Sequence, residues 1–131
     1  GLGDVYKRQV QTASMEAITG LTFTMDGETY VLHNGAADGW FYQGTEIDVT
    51  DLETALGALS ADSFTEETPT GKEEIRFTAY LSNANFPKVE VVLYRYDGEY
   101  CLVTVDSRTI SLVPRSQAVA LMEAVNAIVL K

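Results

Sequence analysis

Histidine, cysteine and tryptophan occur only once each in this sequence, and proline occurs three times. A structural zinc site needs four Cys or His ligands, so these counts exclude one built on those two residue types. Nucleophilic catalysis needs a nucleophile beside a base. The two candidates, His33 and Cys101, fall in different predicted hairpins. We interpret His33 as an exposed hairpin-end residue and Cys101, in an apolar run, as a buried structural thiol.

Phosphate-binding features are lacking as well. No glycine-rich loop joins a strand to a helix in either phosphate-binding pattern, which leaves a nucleotide cofactor without support. Nine Lys and Arg stand against nineteen Asp and Glu, a formal net charge of -10. Such a surface repels phosphates and anionic lipid headgroups, so we expect no nucleic acid and a neutral or basic partner.

A calcium-loop spacing is missing from the acidic residues too. The carboxylates that offer oxygens to a hard cation are therefore interpreted as solvated surface: Asp48, Asp51, Asp62, Glu66 and Glu67. With no nucleophile and base together, no cofactor motif and no metal motif, we predict a protein that is not an enzyme. We assign no catalytic, cofactor-binding or metal-ligating residue.

No apolar run approaches the roughly 18 residues that a membrane span requires. The hydrophobic content of 46% is ordinary for a globular domain, and the length suits one domain.

The first nine residues do not fit a natural protein sequence. Residues 4–9 read Asp-Val-Tyr-Lys-Arg-Gln, the translation of the mosaic-end DNA that transposase-based sequencing libraries attach to fragments. We predict that residues 1–9 are adapter-derived and non-native, and that 10–131 form a single domain from environmental DNA, the C-terminal part of a longer protein.

Alternating apolar and polar residues predict a strand over 18–25, and Asp26-Gly27 predicts a tight turn into a second strand over 28–33. A short aromatic strand is expected at 40–43. Thr50 and Glu53 have the form of a capping box, so a short helix is predicted near 50–59. The stretch 60–72, rich in Ser, Thr, Glu, Pro and Gly, is predicted to be a long surface loop.

A four-stranded meander is predicted next, over 74–81, 88–96, 100–105 and 109–112. The chain closes with an apolar helical stripe that predicts a helix near 114–129. The fold class is therefore α+β, an antiparallel sheet with two helices. The segments around Asp26-Gly27 and Asp97-Gly98 match in sequence. Two explanations stay open, a duplicated β-β-α unit and the chance recurrence of Asp-Gly-Glu hairpins.

The surface feature with functional interest is aromatic, because aromatic side chains with a polar tip favour interfaces. The candidate interaction surface comprises Trp40, Tyr42, Tyr80, Tyr94, Tyr96 and Tyr100. The alternative is that these rings only cover the sheet beneath a helix.

The stretch from about residue 18 to 131 resembles the C-terminal module of the Domain of Unknown Function 4340 family of bacterial proteins. The matching segments are the opening hairpin, the Trp40 strand before a short helix, Asn85-Phe86-Pro87 leading into the next strand, the Asp97-Gly98 hairpin and the closing segment from 113. The resemblance implies a longer protein with an N-terminal membrane anchor, modules outside the cytoplasmic membrane in the cell envelope, and genes beside ABC-type transporter components. It implies no catalytic residue.

Together, these observations favour a non-catalytic binding or scaffolding module that is accessory to an ABC-type transporter and works through an exposed strand edge or the tyrosine face. A second interpretation, from another class, is a carbohydrate- or peptidoglycan-binding accessory domain. In it Trp40 and Tyr42, beside Asp38 and Glu46, contact sugar. The two differ in whether the aromatic residues meet a protein or a glycan.

Overall fold

The computed structural model describes residues 18–59, 63–65, 67–81 and 88–130. Within these ranges the chain forms nine strands, two α-helices and a 3-10 turn at Ala36–Asp38. The strands are β1 (Ile18–Met25), β2 (Glu28–Asn34), β3 (Trp40–Tyr42), β4 (Thr45–Ile47), β5 (Ser63–Phe64), β6 (Glu73–Leu81), β7 (Lys88–Arg95), β8 (Tyr100–Val105) and β9 (Arg108–Pro114). The helices are α1 (Thr50–Ala58) and α2 (Arg115–Val129). The predicted adapter segment 1–9 and the connection 82–87 lie outside the described residues.

All strands belong to one antiparallel sheet in the order β4-β3-β2-β1-β6-β7-β8-β9-β5. The predicted α+β class, hairpin, short strand, meander and two helices are confirmed. Two short strands were missed. β4 extends the sheet beyond β3, and β5 pairs with β9 inside the stretch that was predicted to be a loop.

Three hairpins turn on two residues that both have positive φ, the geometry of the tight turn that matches strand twist. These pairs are Asp26 and Gly27 (φ 52° and 77°), Gln43 and Gly44 (51° and 79°), and Asp106 and Ser107 (49° and 71°). The first was predicted from its Asp-Gly sequence. The third carries no glycine, so its signal in the sequence is weak.

The predicted capping box at the start of α1 is not formed. Thr50 already lies in the helix, whose N-cap residue is Val49. The Thr50 N–H and hydroxyl both donate to Asp48 Oδ1, at 2.9 and 2.6 Å. The Glu53 N–H donates to the Val49 carbonyl oxygen at 2.8 Å. Asp48 and the Val49 carbonyl thus accept from the two N–H groups that the predicted box would have satisfied, which is why the local pattern was misleading.

Both helices pack on one face of the sheet, called here the helix face; the opposite side is the outer face. Phe23 of β1 and Phe77 of β6 are opposite each other at the centre, fully buried, with ring centroids 5.8 Å apart. Each such aromatic contributes about 1.5–3 kcal/mol by leaving water. The apolar stripe of α2 packs against the same core, and these residues of the helix are buried: Ala118, Leu121, Ala124, Val125 and Ile128.

Strand order reveals an internal repeat. β1 to β4 form a meander followed by α1, and β6 to β9 form a meander followed by α2; the first strands of the two halves pair at the centre of the sheet. The unit is thus four strands and a helix. The sequence match around Asp26-Gly27 and Asp97-Gly98 joins the first turn of one meander to the second turn of the other, so it does not mark equivalent positions.

Candidate functional site

The aromatic residues of the predicted interaction surface lie in three groups. Trp40 and Tyr42 sit on the helix face of β3, opposite Asn34 and Leu32 of β2. Trp40 is only 7% exposed, and Tyr42 packs against the core with its ring 6.3 Å from that of Tyr30. Trp40 therefore lies in the hydrophobic core, with little of its side chain open to a partner.

A second group gathers at the end of the β7–β8 hairpin. Tyr94 lies opposite Leu102, and the Tyr96 N–H donates to the Tyr100 carbonyl oxygen at 3.1 Å. Alternation along the strands puts the three tyrosines on the outer face. The Tyr96 hydroxyl donates to the Glu67 carboxylate at 2.8 Å, and this bond raises the pKa of Tyr96. It ties the segment around Glu67 to the hairpin.

Tyr80 stands alone at the other end of the outer face. It lies on β6 opposite Gly20 of β1 and Lys88 of β7, and it is 41% exposed. The six predicted residues thus do not make one continuous surface. The sequence indicated which strands carry aromatics, but strand order separates them.

The edge of β2 is exposed; an exposed strand edge was predicted from the sequence, but without the strand that provides it. β3 pairs only with the last three residues of β2, so among the described residues no strand lies beside Glu28–Val31 on that side. Met25 and Glu28 close a two-residue hairpin and exchange both ladder hydrogen bonds, so bonded and non-bonded positions alternate from there. The N–H and C=O of Thr29 and Val31 therefore point away from β1. Val31 is 60% exposed.

The signal for this edge was present in the sequence. The Gln43-Gly44 turn ends β3 opposite Leu32, and this turn is what leaves the first half of β2 uncovered. A prediction of the turn and of β4 would have located the edge. The third strand was instead predicted to run as far as Gln43.

His33 and Cys101 cannot act together, because they occupy opposite sides of the sheet. His33 is exposed on the outer face, as predicted, whereas Cys101 is on the helix face with none of its surface exposed. Burial, helped by the charge of Glu74, raises the pKa of the Cys101 thiol to about 11, against a smaller opposing effect of Arg115. A protonated buried thiol is a poor nucleophile at neutral pH.

The acidic side chains are engaged in structural contacts. Glu74 accepts two hydrogen bonds from Arg115, from Nε at 3.2 Å and Nη2 at 3.1 Å, which joins β6 to the start of α2. Arg76 contacts Glu73 at 2.7 Å and Glu90 at 3.3 Å, and the hydrogen bond with Glu73 raises the pKa of Arg76. These pairs stabilise the sheet and are not arranged as a site.

Asp48 and Glu67, both considered for a hard cation, accept the hydrogen bonds described above. Asp51 lies in the first turn of α1, and Asp62 and Glu66 fall outside the described residues. Within the described part of the chain, no three Asp, Glu, His or Cys side chains come together as metal ligands. Of the two carboxylates that were paired with Trp40 for sugar binding, Glu46 lies on the outer face, with Oε2 directed toward Gly39, and Asp38 ends the 3-10 turn before β3.

The architecture defines an α+β protein in which two helices cover one face of a single antiparallel sheet. Comparison with models of known protein families, with curated proteins and with solved structures found no match. Among the described residues, no helix has both the length and the hydropathy needed to cross a membrane.

Proposed function

We propose that this chain is a non-catalytic binding module that holds an extended segment of a partner protein along the free edge of β2. The observation that carries the proposal is the edge itself: Thr29 and Val31 direct main-chain donors and acceptors outward, and Val31 adds an apolar side chain that is 60% exposed. Exposed edges of this kind pair readily with added strands, because main-chain hydrogen bonds supply affinity and side chains supply specificity.

The net charge of the protein restricts which class of partner can bind. With a formal net charge of -10, two copies of the chain repel each other, whereas a neutral or basic partner does not. Pairing with a basic segment is therefore favoured over self-association. An apolar residue opposite Val31 and polar residues on either side of it suit this edge.

The cellular setting comes from the resemblance to the Domain of Unknown Function 4340 family. In this proposal the module belongs to a membrane-anchored protein and works on the extracytoplasmic face of the cell envelope, with a component of an ABC-type transporter as the partner. The exposed edge supports binding, and the family resemblance supports the setting.

The test is site-specific photo-crosslinking in the intact protein, expressed in its own cells. A photoreactive residue replaces Val31, and a matched control replaces Glu123, which is exposed on α2. We expect a crosslink to a transporter subunit from position 31 only. Equal products from both positions, or a complete protein that is cytoplasmic with no transporter subunit among its crosslinks, would contradict the proposal.

Thr29→Pro separates strand addition from other contacts. Since the Thr29 N–H points away from β1, proline removes a donor from the edge without breaking the β1 ladder. Thr29→Ala is the control, because both changes remove the hydroxyl that lies 3.1 Å from that of Thr24. We expect the crosslink to disappear in Thr29→Pro and to persist in Thr29→Ala, with both variants folded by circular dichroism.

A further inference from the structure

A row of side chains crosses four strands of the outer face at one end of the sheet. Phe41 of β3 is opposite His33 of β2, His33 is opposite Gly20 of β1, and Gly20 is opposite Tyr80 of β6. Glu46 and Lys88 continue the row at its two ends. We call these residues the outer row: Glu46, Phe41, His33, Gly20, Tyr80 and Lys88.

Each aromatic ring of the outer row lies against a glycine. A Cβ at Gly20 would lie 3.8 Å from Cδ2 of Tyr80, and a Cβ at Gly35 would lie 2.8 Å from Cε2 of Phe41. The Phe41 ring therefore occupies space that a side chain at position 35 would need, whereas the Tyr80 ring lies at ordinary contact distance above Gly20. Tyr80 is still 41% exposed, so part of its ring is open to solvent. Such a ring offers a stacking surface.

We propose that the outer row binds a neutral oligosaccharide. Stacking against Tyr80 and Phe41 suits the apolar C–H faces of sugar rings, as aromatic side chains combine a large apolar surface with a polar tip. Hydroxyl partners surround the rings: Thr22 and Thr78 face each other in the next row, and His33 lies between the rings. Convergent polar groups beside an apolar floor are what fixes a small ligand.

Charge and size favour this occupant over other polymers. The row ends in one acid and one base, and the whole protein carries a net charge of -10, which disfavours nucleic acids and other polyanions. Phe41 and Tyr80 are three strand spacings apart, about 14 Å, so the ligand is a short oligosaccharide and not a single sugar. This inference uses the face of the sheet and does not depend on the proposed partner at the edge of β2.

The test titrates the purified chain with two probes, the tetramer of N-acetylglucosamine and cellotetraose, followed by two-dimensional NMR. The NMR signals are preferred to fluorescence because Trp40 is buried on the other side of the sheet. We expect saturable shifts in residues of the outer row for at least one probe. No shift at about 10 mM of either sugar would overturn the inference, since that concentration detects even millimolar affinity.

Variants locate the site. Tyr80→Ala is expected to weaken sugar binding at least tenfold, whereas Tyr96→Ala, a tyrosine of similar exposure at the far hairpin, leaves it unchanged. Gly20→Val keeps the tyrosine but pushes its ring off the sheet, and we expect weaker binding with the fold intact by circular dichroism. Wild-type affinity in Tyr80→Ala, or binding of a peptide or polyanion at the outer row in place of sugar, would refute the assignment. Crosslinking from position 31 is read separately, so either proposal can fail alone.

Discussion

Alkaline pH should destabilise this protein through the single thiol of Cys101. Its side chain has none of its surface exposed, and burial followed by the charge of Glu74 raises its pKa from 9.0 to about 11. In the unfolded chain the thiol loses its proton near its ordinary pKa. Between these two values the folded protein still holds the proton that the unfolded chain has released, so the stabilisation is complete below the lower pKa and is lost as pH rises toward the higher one.

The size of the effect follows from the shift. Two pKa units correspond to about 2.7 kcal/mol, so we expect a loss on the order of 2–3 kcal/mol in the free energy of unfolding. This is a large fraction of the 5–15 kcal/mol that typical domains possess. The thiol of Cys101 alone should therefore account for a measurable part of the stability lost at alkaline pH.

The assay is urea denaturation at about pH 8 and about pH 11, for the wild type and Cys101→Ala. Tyrosine and lysine also titrate in this range, so the informative quantity is the difference between the two proteins. Cys101→Ala carries a constant packing cost but lacks the thiol. If both proteins lose the same stability between the two pH values, the thiol does not titrate as argued and the reasoning is refuted.

Two further predictions concern the backbone. Gly71→Ala should destabilise the protein by about 1–3 kcal/mol, because a Cβ there would overlap the carbonyl group of Arg95. The control is Gly98→Ala, since a Cβ at Gly98 would have no neighbour within 4 Å. Equal melting temperatures of the two variants would contradict the prediction for Gly71. Ser107→Gly should stabilise the protein by about 0.5–1 kcal/mol, because Ser107 has a φ of 71°, which glycine adopts without steric cost. The measurement is the urea concentration at the midpoint of unfolding. An unchanged or lower midpoint would show that the turn is not strained.

The internal repeat explains the order of the strands in the sheet. Two meanders, each followed by a helix, meet at the central pair of β1 and β6, where Phe23 and Phe77 are in register. The helices then cover one face, and among the described residues the outer face and the β2 edge carry no covering element. The two proposals above concern these two surfaces, the β2 edge and the outer face.

Local signals in the sequence determined the main elements. Alternation over 18–25 and the Asp26-Gly27 turn predicted the first hairpin, and the apolar stripe beginning at Ala118 predicted α2. The fold class followed from these. Such signals succeed because turn geometry and helical or strand periodicity depend on residues a few positions apart. The prediction of a capping box at Thr50 was wrong, because the Thr50 N–H has another acceptor nearby, Asp48 Oδ1.

Only the tertiary structure decided which residues share a surface. Trp40 was predicted to be part of an interaction surface, but it lies on the helix face and is buried. Tyr80 lies opposite Gly20 of β1, a strand far away in the chain. The free edge of β2 depends on where β3 stops. The outer row joins six strands, and its two halves meet only because β1 pairs with β6, which is far away in the chain. The sequence by itself therefore determined the elements and the acidic charge, whereas the candidate sites come from register and strand order, which non-local contacts set.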